Sequence, residues 1–163
     1  MRGTLRYFAY LALSVWLGGL VFFALVEAPV AFTALPSTHL AGQVVAISLT
    51  RLHGIGIVCG LLLLACLLLL GADGRRKALI ASLTLTALML ILTFASQFIV
   101  MPRMEAYRLH SGGDITLVAD DNPDRVAFNR LHHLSEHLEE GVLLGALILL
   151  GVMLHRPSRR STP

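Results

Sequence analysis

Four long apolar runs dominate this sequence, and they limit what the chain can fold into. A helix needs about 20 mostly apolar residues to cross a bilayer, because it rises about 1.5 Å per residue. The runs are residues 7–26, 54–70, 78–100 and 141–154. Apolar residues make up 56% of the chain and charged residues 14%, against about 25% charged in soluble domains. The sequence therefore predicts an all-α integral membrane protein, folded as a four-helix bundle.

Start and stop signals extend these runs into helices over about 5–32, 40–71, 78–101 and 124–155, within a single domain of residues 1–163. The fourth run is too short to cross alone, so its helix must include the polar stretch 124–140. Asn122-Pro123-Asp124 supplies the capping and first-turn residues for that helix. Residues 102–123 are predicted to form an outer loop.

Basic residues near the helix ends predict the orientation. One side would carry Arg2, Arg6, Arg75, Arg76, Lys77, Arg156, Arg159 and Arg160. On the other side, residues 29–40 contain no Lys or Arg, and acidic residues offset the arginines after Val100. Both termini are therefore expected to be cytoplasmic, in the cell inner membrane. The net charge of +3 belongs to these flanks, so no nucleic-acid partner is expected.

Polar side chains inside the predicted spans fall at a common depth. Counting from the cytoplasmic ends places Glu27, Arg51 and Gln97 each about 30 Å along its helix. Ionisable groups at that depth are tolerated when they are paired, hydrated or directed into the bundle. Two interpretations stay open: a Glu27–Arg51 ion pair that clamps two helices, or a layer that binds a ligand.

Residues 131–140 hold the densest group of polar side chains. Helical spacing places His132, Ser135 and Glu139 on one face, and His133, His137 and Glu140 about 100° round the helix. Imidazole and carboxylate groups are ligands for zinc, copper and iron. His53, near the outer end of the second helix, could face His132 across a haem b, or the two could hold copper. A packed, hydrogen-bonded histidine and a solvated helix start are the structural alternatives.

Small residues indicate where the helices pack. Gly18 and Gly19, with Pro29 beyond them, would serve the first helix. Gly141 and Gly145 would serve the fourth, in the bundle or in a homo-oligomer.

Several short motifs together resemble the transmembrane protein 205-like family, domain-of-unknown-function family 4149. They are Trp16-Leu17-Gly18-Gly19, Phe22-Phe23, Ala28-Pro29 with Phe32, Ala41-Gly42 ahead of Arg51, Pro102-Arg103, and Phe128 with Leu131-His132 and Ser135. The resemblance implies a four-helix membrane protein without an agreed activity, and it points to Gly18, Gly19, Pro29, Arg51, His132 and Ser135. Family members usually have asparagine at the position of Glu139 and an aromatic residue at that of His53. The family is also distantly similar to the CopD-like four-helix group, which favours haem or copper.

Three functional hypotheses follow, and none requires an enzyme. In the first, an outward polar layer binds a small ligand, an ion or a partner subunit. That layer comprises Glu27, Arg51, Gln97, Arg103, His132, Ser135 and Glu139. In the second, the protein is a haem- or copper-binding redox protein that uses His132, with His53. In the third, it is a structural accessory subunit of a larger membrane complex.

Overall fold

The computed structural model describes residues 1–71 and 76–155, and four long helices make up most of them. They are α1 (Arg2–Ala34), α2 (Thr38–Leu70), α3 (Arg76–His110) and α4 (Pro123–Leu154). Each is long and apolar enough to cross a membrane, and the described residues contain no strand. The predicted all-α, membrane-spanning four-helix protein is thus confirmed. Arg75, Arg156, Arg159 and Arg160, used above for orientation, lie outside the described residues.

Local capping explains where the helices begin and end. Ser37 Oγ accepts a hydrogen bond from the Leu40 amide at 3.2 Å, so α2 begins with an N-cap. Asn122 Oδ1 does the same for the Asp124 amide at 2.9 Å, which confirms that the polar stretch 124–140 belongs to the fourth helix. Gly71, with a φ of 66°, ends α2 in a conformation that favours glycine.

Two helices contain a π-helical turn just before a proline. These turns are Phe23–Glu27 in α1 and Ser96–Val100 in α3, and Pro29 and Pro102 follow them. A proline inside a helix lacks the amide donor and crowds the carbonyl four residues earlier. The wider π turn relieves that crowding, so both helices continue past their prolines.

The prediction of a loop over 102–123 was therefore wrong at its start. Pro102 was expected to end the third helix, but α3 continues to His110. The connection that remains, 111–122, contains a short 3-10 turn, Ile115–Leu117. Gly112 and Gly113 open this connection with φ values of 80° and 94°.

The bundle is closed by contacts between each helix and its neighbours: α1 packs on α2 and α4, and α3 packs on α2 and α4. Trp16 is its largest fully buried side chain. Gly56 and Gly60 lie against the indole so closely that an added Cβ would come within 2.5 Å and 2.7 Å of it. Many large apolar side chains face outward, such as Leu25 and Leu69 at 73% and 72% exposure. On a chain whose helices span a membrane, these surfaces contact lipid.

Because the four helices alternate in direction, the bundle has two distinct ends. We call the end with Arg2 and Leu154 the terminal end. The opposite end, with the connections 35–37 and 111–122, is the loop end.

Candidate functional site

A buried histidine in α2 joins three helices through hydrogen bonds. His53 is only 2% exposed. Its Nε2 lies 2.6 Å from Glu139 Oε1 of α4, and its Nδ1 lies 2.8 Å from Gln97 Oε1 of α3. We call Gln97, His53 and Glu139 the buried triad.

Helical spacing explains why these three side chains meet. His53 follows Leu52 on the buried face of α2, which continues at Gly56 and Gly60. On α4, the buried positions are Ser135, Val142, Gly145, Ala146 and Leu149. Glu139 fits that series, four residues after Ser135 and three before Val142, so its carboxylate points into the bundle. Gln97 lies in the π turn of α3, beside the buried Ser96.

The partners of His53 define its protonation states. Both hydrogen-bonded atoms are oxygens, and an amide oxygen can only accept. In this arrangement His53 donates from both ring nitrogens and is an imidazolium paired with the Glu139 carboxylate. If the Gln97 amide turns by 180°, its NH₂ group donates to Nδ1 and the neutral imidazole keeps both hydrogen bonds.

Two other oxygen atoms near this level lack hydrogen-bond partners within the described chain. Glu139 Oε2 and Ser96 Oγ are both buried from solvent. A buried carboxylate with one hydrogen bond is costly unless a positive charge compensates it. His53 is the group that can supply that charge, since it is the ion-pair partner of Glu139.

Glu27 and Arg51 lie elsewhere, in a groove of about 270 Å³ between α1 and α2 that opens on the outer surface of the bundle. We call it the α1–α2 groove. Neither residue has an ion pair within 4.0 Å in the described part of the chain. The structure therefore brings them to one groove without forming the expected clamp.

The remaining layer residues do not join the triad in one site. Arg103 is exposed, and Ser135 is buried at 7% exposure. The ring of His132 stacks on Phe128 with 6.4 Å between centroids, and its Nε2 lies 3.3 Å from Glu136 Oε1. The predicted polar layer is thus divided between the buried triad, the α1–α2 groove, the exposed Arg103, and Ser135 and His132 elsewhere on α4.

In this structure His53 and His132 are not arranged as an open pair of ligands for haem or copper. Both nitrogens of His53 are engaged by side chains on other helices, whereas a metal needs one of them free. His132 is 45% exposed at its side chain and bonds within its own helix. No group of three or more His, Cys, Asp or Glu residues within 1–71 and 76–155 is arranged to hold a metal ion.

The predicted packing residues differ in their surroundings. A Cβ on Gly19 would lie 2.7 Å from Leu52, and one on Gly145 would lie 2.9 Å from Met89, so both allow close helix contacts. Gly141 has Leu92 at 3.2 Å. Gly18 is exposed, and a Cβ there would meet no described atom within 4 Å, so it is not a contact between these helices. Pro29 is exposed beyond the first π turn.

Sequence reasoning missed the pairing of His53 with Glu139. It compared depths along each helix and so paired Glu27 with Arg51 and His53 with His132. The buried spacing of α4, where Glu139 falls between Ser135 and Val142, was the signal that could have found the pair.

Comparison with known proteins places the chain in a family. The family described as Domain of unknown function (DUF4149) matches residues 11–111. The chain belongs to this family, as the motif resemblance predicted. The match includes His53 and Gln97 and ends before α4, where Glu139 lies.

No curated protein and no solved structure matches the chain. The comparisons thus give no support to the distant CopD-like similarity. The class defined so far is a multi-pass, four-helix membrane protein of a family without an assigned activity.

Proposed function

We propose that this protein binds and releases a proton at the buried triad, inside the membrane-spanning bundle. The observation that carries the proposal is the 2.6 Å contact between His53 Nε2 and Glu139 Oε1, with the second carboxylate oxygen buried and unpartnered. Histidine is the side chain whose ordinary titration range includes neutral pH. An ionisable pair within a membrane bundle is a common element of proton pathways.

A proton fits this site better than a metal cation does. Hard cations such as Ca²⁺ and Mg²⁺ need about six or more oxygen ligands, and the imidazole ring of His53 fills the space between the Gln97 and Glu139 oxygens. Transition metals would have to displace one of the two hydrogen bonds of His53. A proton needs only one nitrogen.

Gln97 lowers the free-energy cost of proton exchange at His53. In the charged state its Oε1 accepts from Nδ1, and after amide rotation its NH₂ donates to the deprotonated Nδ1. Hydrogen bonding to His53 is therefore kept in both states, and Nε2 stays protonated against Glu139. Gln97 also belongs to a π turn, a helix irregularity that recurs at functional sites.

Glu139 is the charged partner of His53 among the described residues. Its neighbours Glu136 and Glu140 are exposed, at 51% and 74% of the side chain, and pair with histidines of α4. Arg51 lies on another face of α2, where it lines the α1–α2 groove. The protonation of His53 is thus governed mainly by one carboxylate and one amide.

We infer further that the protein lies in the cell inner membrane and that both termini face the cytoplasm. Arg2, Arg6, Arg76 and Lys77 lie at the terminal end, and excess Lys and Arg in short segments marks the cytoplasmic side. The triad then lies nearer the outer face.

Fluorescence of Trp16 tests the proposal. It is the only tryptophan, and its indole packs on Gly56, one turn from His53. Protonation of His53 should change the Trp16 emission when the pH of the purified protein is varied. His53→Gln should abolish this transition, whereas His133→Gln, at a 71% exposed side chain, should preserve it. A transition that persists in His53→Gln would contradict the proposal.

A further inference from the structure

The α1–α2 groove carries two opposite charges without ion-pair partners among the described residues. Glu27 is half-buried and Arg51 is exposed, and neither has an ion-pair partner within 4.0 Å in the described chain. Charged side chains that face a bilayer are costly unless something neutralises them. A ligand that carries both an anion and a cation would compensate both charges.

Most of the apolar lining of the groove lies on the membrane-centre side of its charged residues, whereas Ile47 lies on the loop-end side. Because α1 runs towards the loop end, Phe22 and Phe23 lie on the membrane-centre side of Glu27. Because α2 runs the other way, Ile55 lies on the membrane-centre side of Arg51. Phe22 is 57% exposed and Ile55 is 49% exposed. The charged groups thus lie towards the loop end, and Phe22, Phe23 and Ile55 provide apolar surface on the membrane-centre side.

A close helix contact forms the floor of the groove. Gly19 of α1 allows Leu52 of α2 to approach to 2.7 Å of where its Cβ would lie. Ser48, one turn before Leu52, adds a hydroxyl to the charged part of the lining. The groove thus has polar groups towards the loop end and apolar surface on the membrane-centre side, which matches the headgroup and acyl chains of a phospholipid.

We propose that the α1–α2 groove binds an ethanolamine phospholipid of the leaflet at the loop end. Arg51 would pair with the phosphate, and Glu27 would accept hydrogen bonds from the primary ammonium. The acyl chains would lie along Phe22 and Ile55. Charge complementarity selects this lipid: phosphatidylglycerol would leave Glu27 without a cation, and a choline headgroup has no N–H to donate.

Native mass spectrometry of the detergent-purified full chain, with defined lipids added, tests this site. At equal lipid concentration, phosphatidylethanolamine should bind about fivefold better than phosphatidylcholine or phosphatidylglycerol with the same acyl chains. One charge-assisted hydrogen bond would give a difference of this size. Glu27→Gln should remove the preference for ethanolamine over choline. Arg51→Gln should weaken binding of all three lipids.

Arg103→Gln is the matched control, because Arg103 is exposed on α3 and outside the groove. It should leave lipid binding unchanged. Equal binding of the three lipids to the unmodified protein would overturn the proposal, and that result needs no variant to fold. An ethanolamine preference that survives Glu27→Gln would overturn it as well.

Discussion

The 2.6 Å contact between His53 Nε2 and Glu139 Oε1 connects residues that are 86 positions apart in the chain and joins the second helix to the fourth. His53 is 1% exposed at its side chain and Glu139 is 15% exposed. Both groups have therefore left solvent and depend on each other for compensation of charge. This contact is where we propose that the protein binds a proton.

Replacing one partner of this pair should destabilise the protein more than replacing both partners together. Glu139→Leu leaves the buried His53 ring without its acceptor, and His53→Leu leaves the buried carboxylate without its donor; each should lower the unfolding free energy by about 1–3 kcal/mol. The double variant should lose less than the sum of the two, with a coupling of about 1–3 kcal/mol. Thermal or denaturant unfolding in detergent measures this. Additive losses would show that the two side chains do not interact.

The packing of Trp16 should tolerate no added methyl group on the facing helix. Gly56→Ala would place a Cβ 2.5 Å from the indole Nε1, and overpacking of this kind costs about 1–3 kcal/mol. Gly54→Ala is the matched control, since a Cβ there would meet no described atom within 4 Å. Gly56→Ala should lower the melting temperature and Gly54→Ala should not. Equal melting temperatures would count against the described contact of α1 with α2.

The connection at the loop end should respond to acid through Asp114. Hydrogen bonds from Thr116 lower the pKa of Asp114, and His39, 3.3 Å away, adds to this. A carboxyl whose folded pKa is depressed contributes stability that is present above its ordinary value of about 3.9 and is lost as pH falls through the folded value.

Thr116→Val removes the hydroxyl donor, which lies 2.6 Å from Asp114 Oδ1, so the pKa of Asp114 should rise towards its ordinary value. Carboxyl carbon NMR during a pH titration measures the shift. Thr33→Val is a suitable control, because that hydroxyl bonds to the Pro29 carbonyl at the end of α1. An unchanged Asp114 titration in Thr116→Val would contradict the assignment.

Hydropathy and helix capping were enough to predict the four spans, because apolar runs of bilayer length leave few other folds. They failed at Pro102, where a π turn allows the helix to continue, and a π turn has no clear signature in the sequence. The site was harder to predict. Depth along a helix placed Glu27, Arg51 and Gln97 in one layer, but depth does not say which face each residue occupies.

The sequence analysis did not establish which face of each helix is buried. Glu139 and His53 lie on buried faces, whereas Glu27 and Arg51 line a groove on the outside of the bundle. A single sequence, read position by position, does not show that His53 and Glu139 face each other.

The most direct test of proton binding is a ¹⁵N NMR titration of histidine-labelled protein, with His53 assigned from the signal that His53→Gln removes. Nε2 is expected to stay protonated throughout, while Nδ1 gains a proton as the pH falls and loses it as the pH rises. Gln97→Leu, which removes the amide, should shift this transition. A His53 ring that keeps one protonation state from acidic to alkaline pH would contradict the account.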